Sequence, residues 1–341
     1  MEKLVSIIVP CRNEENYIGP LIESVLNQDY PSEKIELLIM DGMSDDNTRN
    51  IVTQYSNNHS FIQLIDNPKK YVPFALNKGI QSSKGEIIII LGAHSVYPDY
   101  YVSRLVNWLN KLNADNVGGL WITNPGSDTL KAKAIALAQS NAFGVGNALY
   151  KIGTSEVQEA DTVPFGCYKR EVFDKIGFFD EDLIRNQDDE LNARLKNSEG
   201  KMFLVPDVEI NYYARDTYTK LWTMHYQYGY FKPLVNIKLG KPATWRQFVP
   251  FLFVTSLICS LALYPFHSYS LYIFLLIISL HSIANFIASF KISLPKIAMI
   301  PFLFLAFLTM HISYGWGYLI GIINFWILKN HTTPKEVKMS R

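Results

Sequence analysis

Three consecutive carboxylates, Asp188, Asp189 and Glu190, are the strongest catalytic candidates in the sequence. They stand just before an apolar-periodic stretch with Leu191 and Leu195, which predicts that they begin a helix. One of them could take the proton of a hydroxyl group while its oxygen attacks an electrophilic carbon. The plainer interpretation is that all three are first-turn charges favoured by the helix dipole. However, three carboxylates in a row exceed what capping needs, and their mutual repulsion is a cost that a function would explain.

Two further groups of loop carboxylates each follow a strand-like run near the start of the chain. Residues 5–9 are apolar or small with many β-branched members, and residues 35–40 are predicted to form the second strand. Ligands of open parallel α/β sheets bind at the carboxyl ends of the strands, so residues 10–14 and 41–45 should line one crevice. The sequence has no G-x-G-x-x-G and no G-x-x-x-x-G-K-[ST], which excludes an ordinary dinucleotide site and a P-loop.

The stretches VSIIVPCRNEE and DGMSDDNT resemble the nucleotide-sugar-binding half of family 2 glycosyltransferases, which adopt the GT-A fold. The resemblance covers roughly residues 4–240. It implies an α/β fold with a mixed, mostly parallel sheet, and it makes Asp41 the residue that faces the nucleotide base. Alternatively, Asp41 is a turn residue after a strand. The nucleotide-sugar-binding residues that the resemblance implies are Pro10, Arg12, Glu14, Asp41, Lys78 and Ala93.

A candidate metal position follows the predicted strand at residues 86–91, in Gly92-Ala93-His94. Family members carry Asp-x-Asp or Asp-x-His here, which holds Mg²⁺ or Mn²⁺ against the two donor phosphates and neutralises the charge of the leaving group. Because Gly92 replaces the first carboxylate, His94 is the one side-chain ligand at the motif, and histidine suits Mn²⁺ better than Mg²⁺. Either another carboxylate completes the site or the phosphates mainly hold the cation. Outside this motif, His94 would be interpreted as a satisfied loop histidine.

The resemblance also implies a role for the acidic run. Family 2 enzymes take their catalytic base from a Glu-Asp pair at a helix start followed by Leu-x-x-Arg, and residues 191–194 match that tail. This alignment makes Asp188 the catalytic base of an inverting sugar transfer, and Asp189 is the alternative base if the alignment is shifted by one residue.

Within the family, the chain is most similar to the succinoglycan-biosynthesis type, on NPKKYVPFALNKGI, AHSVYPDYY, VGGLW, DTVPFGCYKREVF and RNQDDELNARL. That likeness implies transfer of one sugar to a polyprenyl-diphosphate-linked glycan in exopolysaccharide or cell-surface polysaccharide biosynthesis. The acceptor-side residues are then Gly166, Arg170, Glu190 and Arg215. Alternatively, Gly166 is a simple turn residue and Arg215 a snorkelling interfacial arginine.

Charge is distributed very unevenly along the chain. The 341 residues carry 32 basic and 31 acidic side chains, so nothing favours a nucleic-acid partner. Between residues 248 and 328, the only Lys, Arg, Asp or Glu residues are Lys291 and Lys296. The three cysteines are widely spaced and without a C-x-x-C, which fits a reducing compartment and excludes a zinc ribbon. The start MEKLVS leads directly into a strand, so no signal peptide is expected.

The apolar third predicts membrane helices. Residues 249–266 and 270–290 can each cross about 30 Å of hydrocarbon. Residues 297–328 form a further apolar stretch that Tyr314-Gly315-Trp316-Gly317 interrupts. Lysine bias places the amino-terminal domain, the 291–296 loop and the tail on the cytosolic side. An even number of crossings follows, which favours two hairpins over the alternative of three spans with an external tail.

A segment rich in Trp, Tyr, Phe and Lys, residues 217–240, joins the two parts, and this composition is typical of the headgroup region. An ordinary surface helix is the alternative. The predicted organisation is a GT-A catalytic domain at 1–215, an interfacial segment at 216–246, transmembrane hairpins at 247–328 and a basic tail at 329–341. Such a chain would be a multi-pass cell-membrane protein with a cytosolic catalytic domain and the lipid bilayer as a partner.

Three functions remain open. The first is a non-processive glycosyltransferase that uses a nucleotide-diphosphate sugar, with UDP or dTDP favoured because Asp41 would accept a hydrogen bond from the imide N–H, which cytosine lacks. The second is a processive polysaccharide synthase, although the chain lacks the Q-x-x-R-W stretch of those enzymes. The third is a non-catalytic nucleotide-sugar-binding subunit, which Gly92 suggests.

Overall fold

The computed structural model describes residues 2–294 and 296–330. The chain forms two compact units, of which the first comprises Met1–Ile122 and Gly153–Tyr212 and the second comprises Thr123–Ile152 and Tyr213–Arg341. Residues 123–152 thus group with the carboxy-terminal helices, which the sequence did not indicate.

The first unit is built on a sheet that has eight strands among the described residues. These strands are β1 Val5–Cys11, β2 Ile35–Asp41, β3 Ile62–Asp66, β4 Ile87–Ile90, β5 Asn116–Asn124, β6 Gln158–Glu159, β7 Cys167–Lys169 and β8 Met202–Tyr213. Their order is β3-β2-β1-β4-β7-β5-β8-β6. Strands β1 to β4 pair in parallel, whereas β7 runs antiparallel to β4 and β5. The predicted mixed, mostly parallel α/β sheet is confirmed.

Thirteen α-helices accompany these strands in the described residues, numbered in chain order. They are α1 Ile18–Leu26, α2 Thr48–Asn58, α3 Val72–Ser82, α4 Tyr101–Lys111, α5 Leu130–Gln139, α6 Ala142–Val145, α7 Leu149–Ile152, α8 Glu171–Ile176, α9 Gln187–Asn197, α10 Tyr218–Leu239, α11 Phe248–Leu263, α12 Tyr269–Ser293 and α13 Ile300–Gly321. A π-helical turn, Ile322–Ile327, continues α13.

The central strands form because their residues are apolar at nearly every position, with buried polar exceptions such as Ser6 and Glu36. A strand covered on both faces needs no polar alternation, and β2 and β4 are buried at every position. The register pairs Ile8 with both Leu38 and Ile90, and Cys11 with Asp41. Strands β1, β2 and β4 therefore end side by side, and the loops that follow them share one edge of the sheet.

The second unit contains the apolar helices. Among the described residues, three helical stretches are long and apolar enough to cross a membrane: Trp245–Leu263, Tyr269–Ser293 and Ile297–Ile327. The predicted two-hairpin arrangement is therefore wrong, because the third stretch is one continuous helix rather than two short segments. Residues 331–341, most of the predicted basic tail, lie outside the described residues.

Glycines that suggested an interruption of the third stretch are instead packing positions. A Cβ on Gly317 would meet the carbonyl oxygen of Tyr226 in α10, and a Cβ on Gly315 would meet the carbonyl oxygen of Pro250 in α11. Glycine permits this close backbone approach because it has no side chain. The predicted interfacial segment thus contains α10, a helix packed along α13, and its place in the headgroup region remains a prediction.

Candidate active site

The loops after β1 and β2 are joined by reciprocal hydrogen bonds. The backbone N–H of Asn13 donates to Ser44 Oγ at 2.9 Å, and Asp45 N–H donates back to Asn13 Oδ1 at 3.1 Å. The backbone N–H of Glu14 donates to Thr48 Oγ1 at 2.7 Å. Asn13 adopts a left-handed conformation with φ 57°, which asparagine tolerates better than most residues. The two loops are thus held side by side as the wall of the predicted crevice, and the crevice itself remains a prediction.

Asp41 lies at the end of β2 and is fully buried. Its carboxylate accepts hydrogen bonds from the backbone and hydroxyl of Ser44 and from Arg49. Arg49 also binds Asp66 Oδ1 at 2.8 Å, and Lys78 Nζ donates to the Asp66 carbonyl oxygen at 2.7 Å. The structure thus brings Asp41 and Lys78 into one network, in which Asp41 holds the loop. Direct contact of Asp41 with a nucleotide base remains a prediction.

His94 and Glu14 form the second feature of this edge. His94 Nδ1 lies 3.0 Å from Glu14 Oε2, and the Glu14 side chain is only 5% exposed. The ring of Tyr17 packs edge-on against the imidazole, with ring centroids 4.8 Å apart. A carboxylate that binds one imidazole nitrogen fixes the orientation of the ring, as occurs behind metal-binding histidines. Glu14, which the sequence assigned to nucleotide-sugar binding, here orients His94.

Phe165 fills the space beside Gly92. A Cβ on Gly92 would lie 2.6 Å from Phe165 Cζ, so no larger residue fits without displacing that ring. Phe165 itself has φ 46° and packs against Trp121, with ring centroids 5.7 Å apart. The Phe165 ring therefore occupies the space that a side chain at position 92 would need. Among the described residues, no group of three His, Cys, Asp or Glu side chains could hold a metal ion.

The pKa of the Cys11 thiol reflects the burial and the negative charge at the end of β1. Burial, followed by the carboxylates of Asp41 and Glu14, raises the pKa of Cys11 well above its usual range. The thiol therefore stays protonated and unreactive. The same carboxylates favour a cation nearby, whereas an anionic ligand would need compensating positive charge.

The three carboxylates at the start of α9 have different environments. Glu190 is buried, and Arg194 binds it through Nε and Nη2 at 2.6 and 2.8 Å. Arg194 also donates to the carbonyl oxygens of Ile176 and Phe178, which ties α9 to the preceding loop. Asp188 is exposed and Asp189 half-buried. Glu190 therefore supports the helix, and Asp188 remains the accessible carboxylate.

A polar network holds α9 against the sheet. Asn192 receives hydrogen bonds from Asn116 Nδ2 and Tyr168 Oη, both at 3.3 Å, and donates to Thr162 Oγ1 at 2.9 Å. Burial and then the nearby Asp188 carboxylate raise the pKa of the Tyr168 phenol above its usual range. Through Asn192, the network holds the middle of α9 against β5 and β7, and β7 is the neighbour of β4.

The structure places the remaining candidates at different locations. The carbonyl oxygen of Gly166 accepts from Ile90 N–H at 3.1 Å, at the carboxyl end of β4. Arg170 donates to Gly85 O and Ser83 Oγ, before β4 begins, so it lies at the opposite edge and has a structural role. Arg215 belongs to the second unit. Pro10 lies in β1, Ala93 is buried in the loop after β4, and Arg12 is exposed.

A comparison with protein families identifies the chain. The sequence pattern of Glycosyl transferase family 2 matches residues 6–177, half of the chain. The chain is a family 2 glycosyltransferase. The matched residues include β1 to β4, β7 and the loops of the crevice wall.

Two curated relatives resemble this glycosyltransferase over most of its length. The dolichyl N-acetyl-alpha-D-glucosaminyl phosphate 3-beta-D-2,3-diacetamido-2,3-dideoxy-beta-D-glucuronosyltransferase of Methanococcus voltae is 30% identical, over 73% of this chain and 79% of the relative. The succinoglycan biosynthesis protein ExoA of Rhizobium meliloti is 29% identical, over 72% and 73% respectively. The Rhizobium relative supports the resemblance to the succinoglycan-biosynthesis type.

A solved structure supports the fold of the glycosyltransferase. The mannosyltransferase PcManGT from Pyrobaculum calidifontis, in complex with GDP-Man and Mn²⁺, superimposes with a TM-score of 0.56. The superposition covers 91% of this chain and 87% of the mannosyltransferase, with 17% sequence identity. This similarity shows the GT-A-like fold of the chain.

Several residues of the site gave no signal in the sequence. Arg49, which links Asp41 to Asp66, stands in the first turn of a polar helix without a distinctive motif. Phe165 precedes Gly166 in an ordinary loop, and its position beside Gly92 depends on pairing of β4 with β7. These contacts join residues that are far apart in the chain, so local patterns could not predict them.

Proposed function

We propose that this glycosyltransferase moves one sugar, with inversion, from a nucleotide-diphosphate sugar to a polyprenyl-diphosphate-linked glycan. The single observation that carries the mechanism is the division of roles at the start of α9, where Glu190 is buried against Arg194 while Asp188 is exposed. Such a pair gives a fixed helix start with one accessible carboxylate. An exopolysaccharide or cell-surface polysaccharide pathway is the setting that the Rhizobium relative supports.

In the proposed reaction, Asp188 accepts the proton of the acceptor hydroxyl as that oxygen attacks the anomeric carbon. The new carbon–oxygen bond forms as the bond from the anomeric carbon to the diphosphate breaks, and the nucleoside diphosphate leaves with the electron pair. Attack opposite the leaving group inverts the anomeric centre. A positioned carboxylate suits this step because an alcohol is a weak nucleophile until its proton is removed.

Donor binding is assigned to the loops after β1, β2 and β4. We propose that Arg49 and Lys78 offset the negative charge of the crevice wall and so favour the donor phosphates. His94, oriented by Glu14, fits a site in which the protein supplies one imidazole ligand and phosphate oxygens supply others. Mn²⁺ or Mg²⁺ bound there would neutralise negative charge on the departing diphosphate, and the imidazole favours Mn²⁺.

A uridine or thymidine donor is expected if Asp41 contacts the base. Asp41→Ala should weaken binding of the nucleoside diphosphate by about 1.5–3 kcal/mol, the value of a hydrogen bond to a charged group. Isothermal titration calorimetry measures the effect, and Asp66→Ala is the matched control because it removes the other carboxylate partner of Arg49. Unchanged affinity in Asp41→Ala, or an equal loss in both variants, would remove Asp41 from base recognition.

The acceptor assignment follows from the membrane-type helices and the relatives. The Methanococcus relative is named for transfer to a dolichyl phosphate-linked sugar, which supports a lipid-linked acceptor here. Helices α11 to α13 would hold this enzyme at a membrane, with its catalytic unit on the cytosolic side as the Lys291 and Lys296 loop favours.

With three crossings, both the 264–268 loop and the tail should face away from the cytosol. Cysteines at Ser268 and Thr333, in a background without the native cysteines, should react with an impermeant thiol reagent in intact cells, whereas one at Lys296 should not. Thr333 lies outside the described residues, and the lysines of the tail oppose this orientation. Labelling of Thr333 only after lysis would therefore place the tail in the cytosol, as the lysine bias favours, and would require an even number of crossings.

A screen of UDP-, dTDP- and GDP-sugars tests the donor assignment. Detergent-solubilised enzyme should bind and slowly hydrolyse one donor, and hydrolysis should require a divalent cation. Binding without any turnover, also with lipid-linked acceptor present, would favour the non-catalytic subunit instead.

A further inference from the structure

A cavity of about 310 Å³ lies in the second unit, between α5 and the turn that joins α12 to α13. Its wall is largely apolar, with Pro125, Ala136, Ile292 and Met299. Polar groups enter it from both sides, Lys133 on α5 and Ser293 and Lys296 at the turn. The cavity therefore offers an apolar slot with a positively charged rim, which suits an amphiphile with an anionic head.

The buried hydroxyl of Ser293 indicates that the cavity binds a polar ligand. Ser293 is 2% exposed, and its Oγ atom has no hydrogen-bond partner among the described residues. A buried hydroxyl without a partner is unfavourable, and native structures satisfy nearly all such groups with protein, water or ligand. A ligand oxygen in the cavity would accept this hydroxyl proton.

The charge of the rim decides which anion fits best. Lys133 Nζ lies 3.0 Å from Asp128 Oδ1, so Lys133, Asp128 and Lys296 together carry one net positive charge. A phosphodiester carries one negative charge and matches this balance. Phosphomonoesters and diphosphates carry more negative charge than the rim can compensate.

We propose that this cavity binds the headgroup of an anionic phospholipid through its phosphodiester, with the upper carbons of the lipid against the apolar wall. The turn stands between two candidate membrane spans, Tyr269–Ser293 and Ile297–Ile327, so by sequence it is where a span would reach a headgroup layer. Basic pockets between membrane helices are known to hold such headgroups. The proposal rests on the membrane part of the proposed function but requires no glycosyl transfer.

Native mass spectrometry of the full-length, delipidated enzyme tests the site. Phosphatidylglycerol is titrated against phosphatidylcholine, and bound lipid is counted. Lys133→Gln combined with Lys296→Gln should weaken phosphatidylglycerol binding about 25-fold, from about fivefold per lysine. The matched control combines Lys131→Gln in α5 with Lys291→Gln near the end of α12, which removes the same charge from positions that do not line the cavity. The control should stay within about twofold of the unmodified enzyme, because it leaves both cavity lysines in place.

Equal losses in the two double variants would show attraction by overall charge only and overturn the site. Equal binding of phosphatidylcholine, or full competition by glycerol 3-phosphate at matching concentrations, would overturn the phospholipid assignment. Tighter binding of an isoprenoid phosphate would reassign the cavity to the lipid carrier. Because bound lipid is measured rather than transfer, failure of this proposal is distinguishable from failure of the catalytic mechanism.

Discussion

Replacing Asp188 by Asn should lower sugar transfer by about 10²–10⁴-fold, the usual contribution of a positioned general base. The substitution keeps the shape of the side chain and removes its ability to accept the acceptor proton. Donor affinity should barely change, because the proposed base acts on the acceptor. Initial rates of transfer, with calorimetric donor binding on the same preparations, measure both quantities.

Neighbouring carboxylates provide the controls for this prediction. Asp189→Asn should have a milder effect, and Glu190→Gln should mainly lower the melting temperature because it breaks the buried pair with Arg194. If Asp189→Asn is inactive while Asp188→Asn transfers normally, the catalytic base is Asp189 rather than Asp188. If both asparagine variants remain active, the carboxylates are only first-turn charges.

Loss of the His94 imidazole should produce the second large effect. Activity should vanish with a chelator and return best with Mn²⁺. Glu14→Gln should raise the metal concentration needed for half activity by about 10–100-fold, which is the usual effect of changing a residue that orients a metal ligand. His94→Ala should raise it further, because it removes the imidazole itself.

His59→Ala is the matched control, since it removes a histidine of the same unit from the far end of α2. Metal-dependent binding of the nucleoside diphosphate gives a readout independent of turnover. Full activity of the unmodified enzyme in excess chelator would mean that Gly92 marks a real loss of the metal site, and His94 would then be a loop histidine held by Glu14.

The crevice wall could be predicted because its determinants are local. Apolar β-branched runs fix β1 and β2, and their parallel pairing brings Glu14 and Asp41 to one edge of the sheet. The roles of individual side chains could not be predicted in this way. The partners of His94 and Arg170 depend on how distant segments pack, whereas Arg194 lies only one helical turn after Glu190 in α9.

The number of membrane-type helices was predicted incorrectly for a similar reason. Gly315 and Gly317 suggested a break, because glycine weakens an isolated helix. In the structure, these glycines let α13 approach the backbones of α10 and α11. Tertiary packing thus outweighs the local preference, and a single-sequence pattern gives no information about those neighbours.

The mass of the product tests the proposed function most directly. Purified enzyme, the donor selected by the screen and a polyprenyl-diphosphate-linked acceptor should give a product that is heavier by one sugar residue, and Asp188→Asn should give almost none. A ladder of increasing mass would identify a processive synthase. An acceptor whose mass never changes, although the donor binds, would contradict the assignment of this chain as a sugar-transferring enzyme.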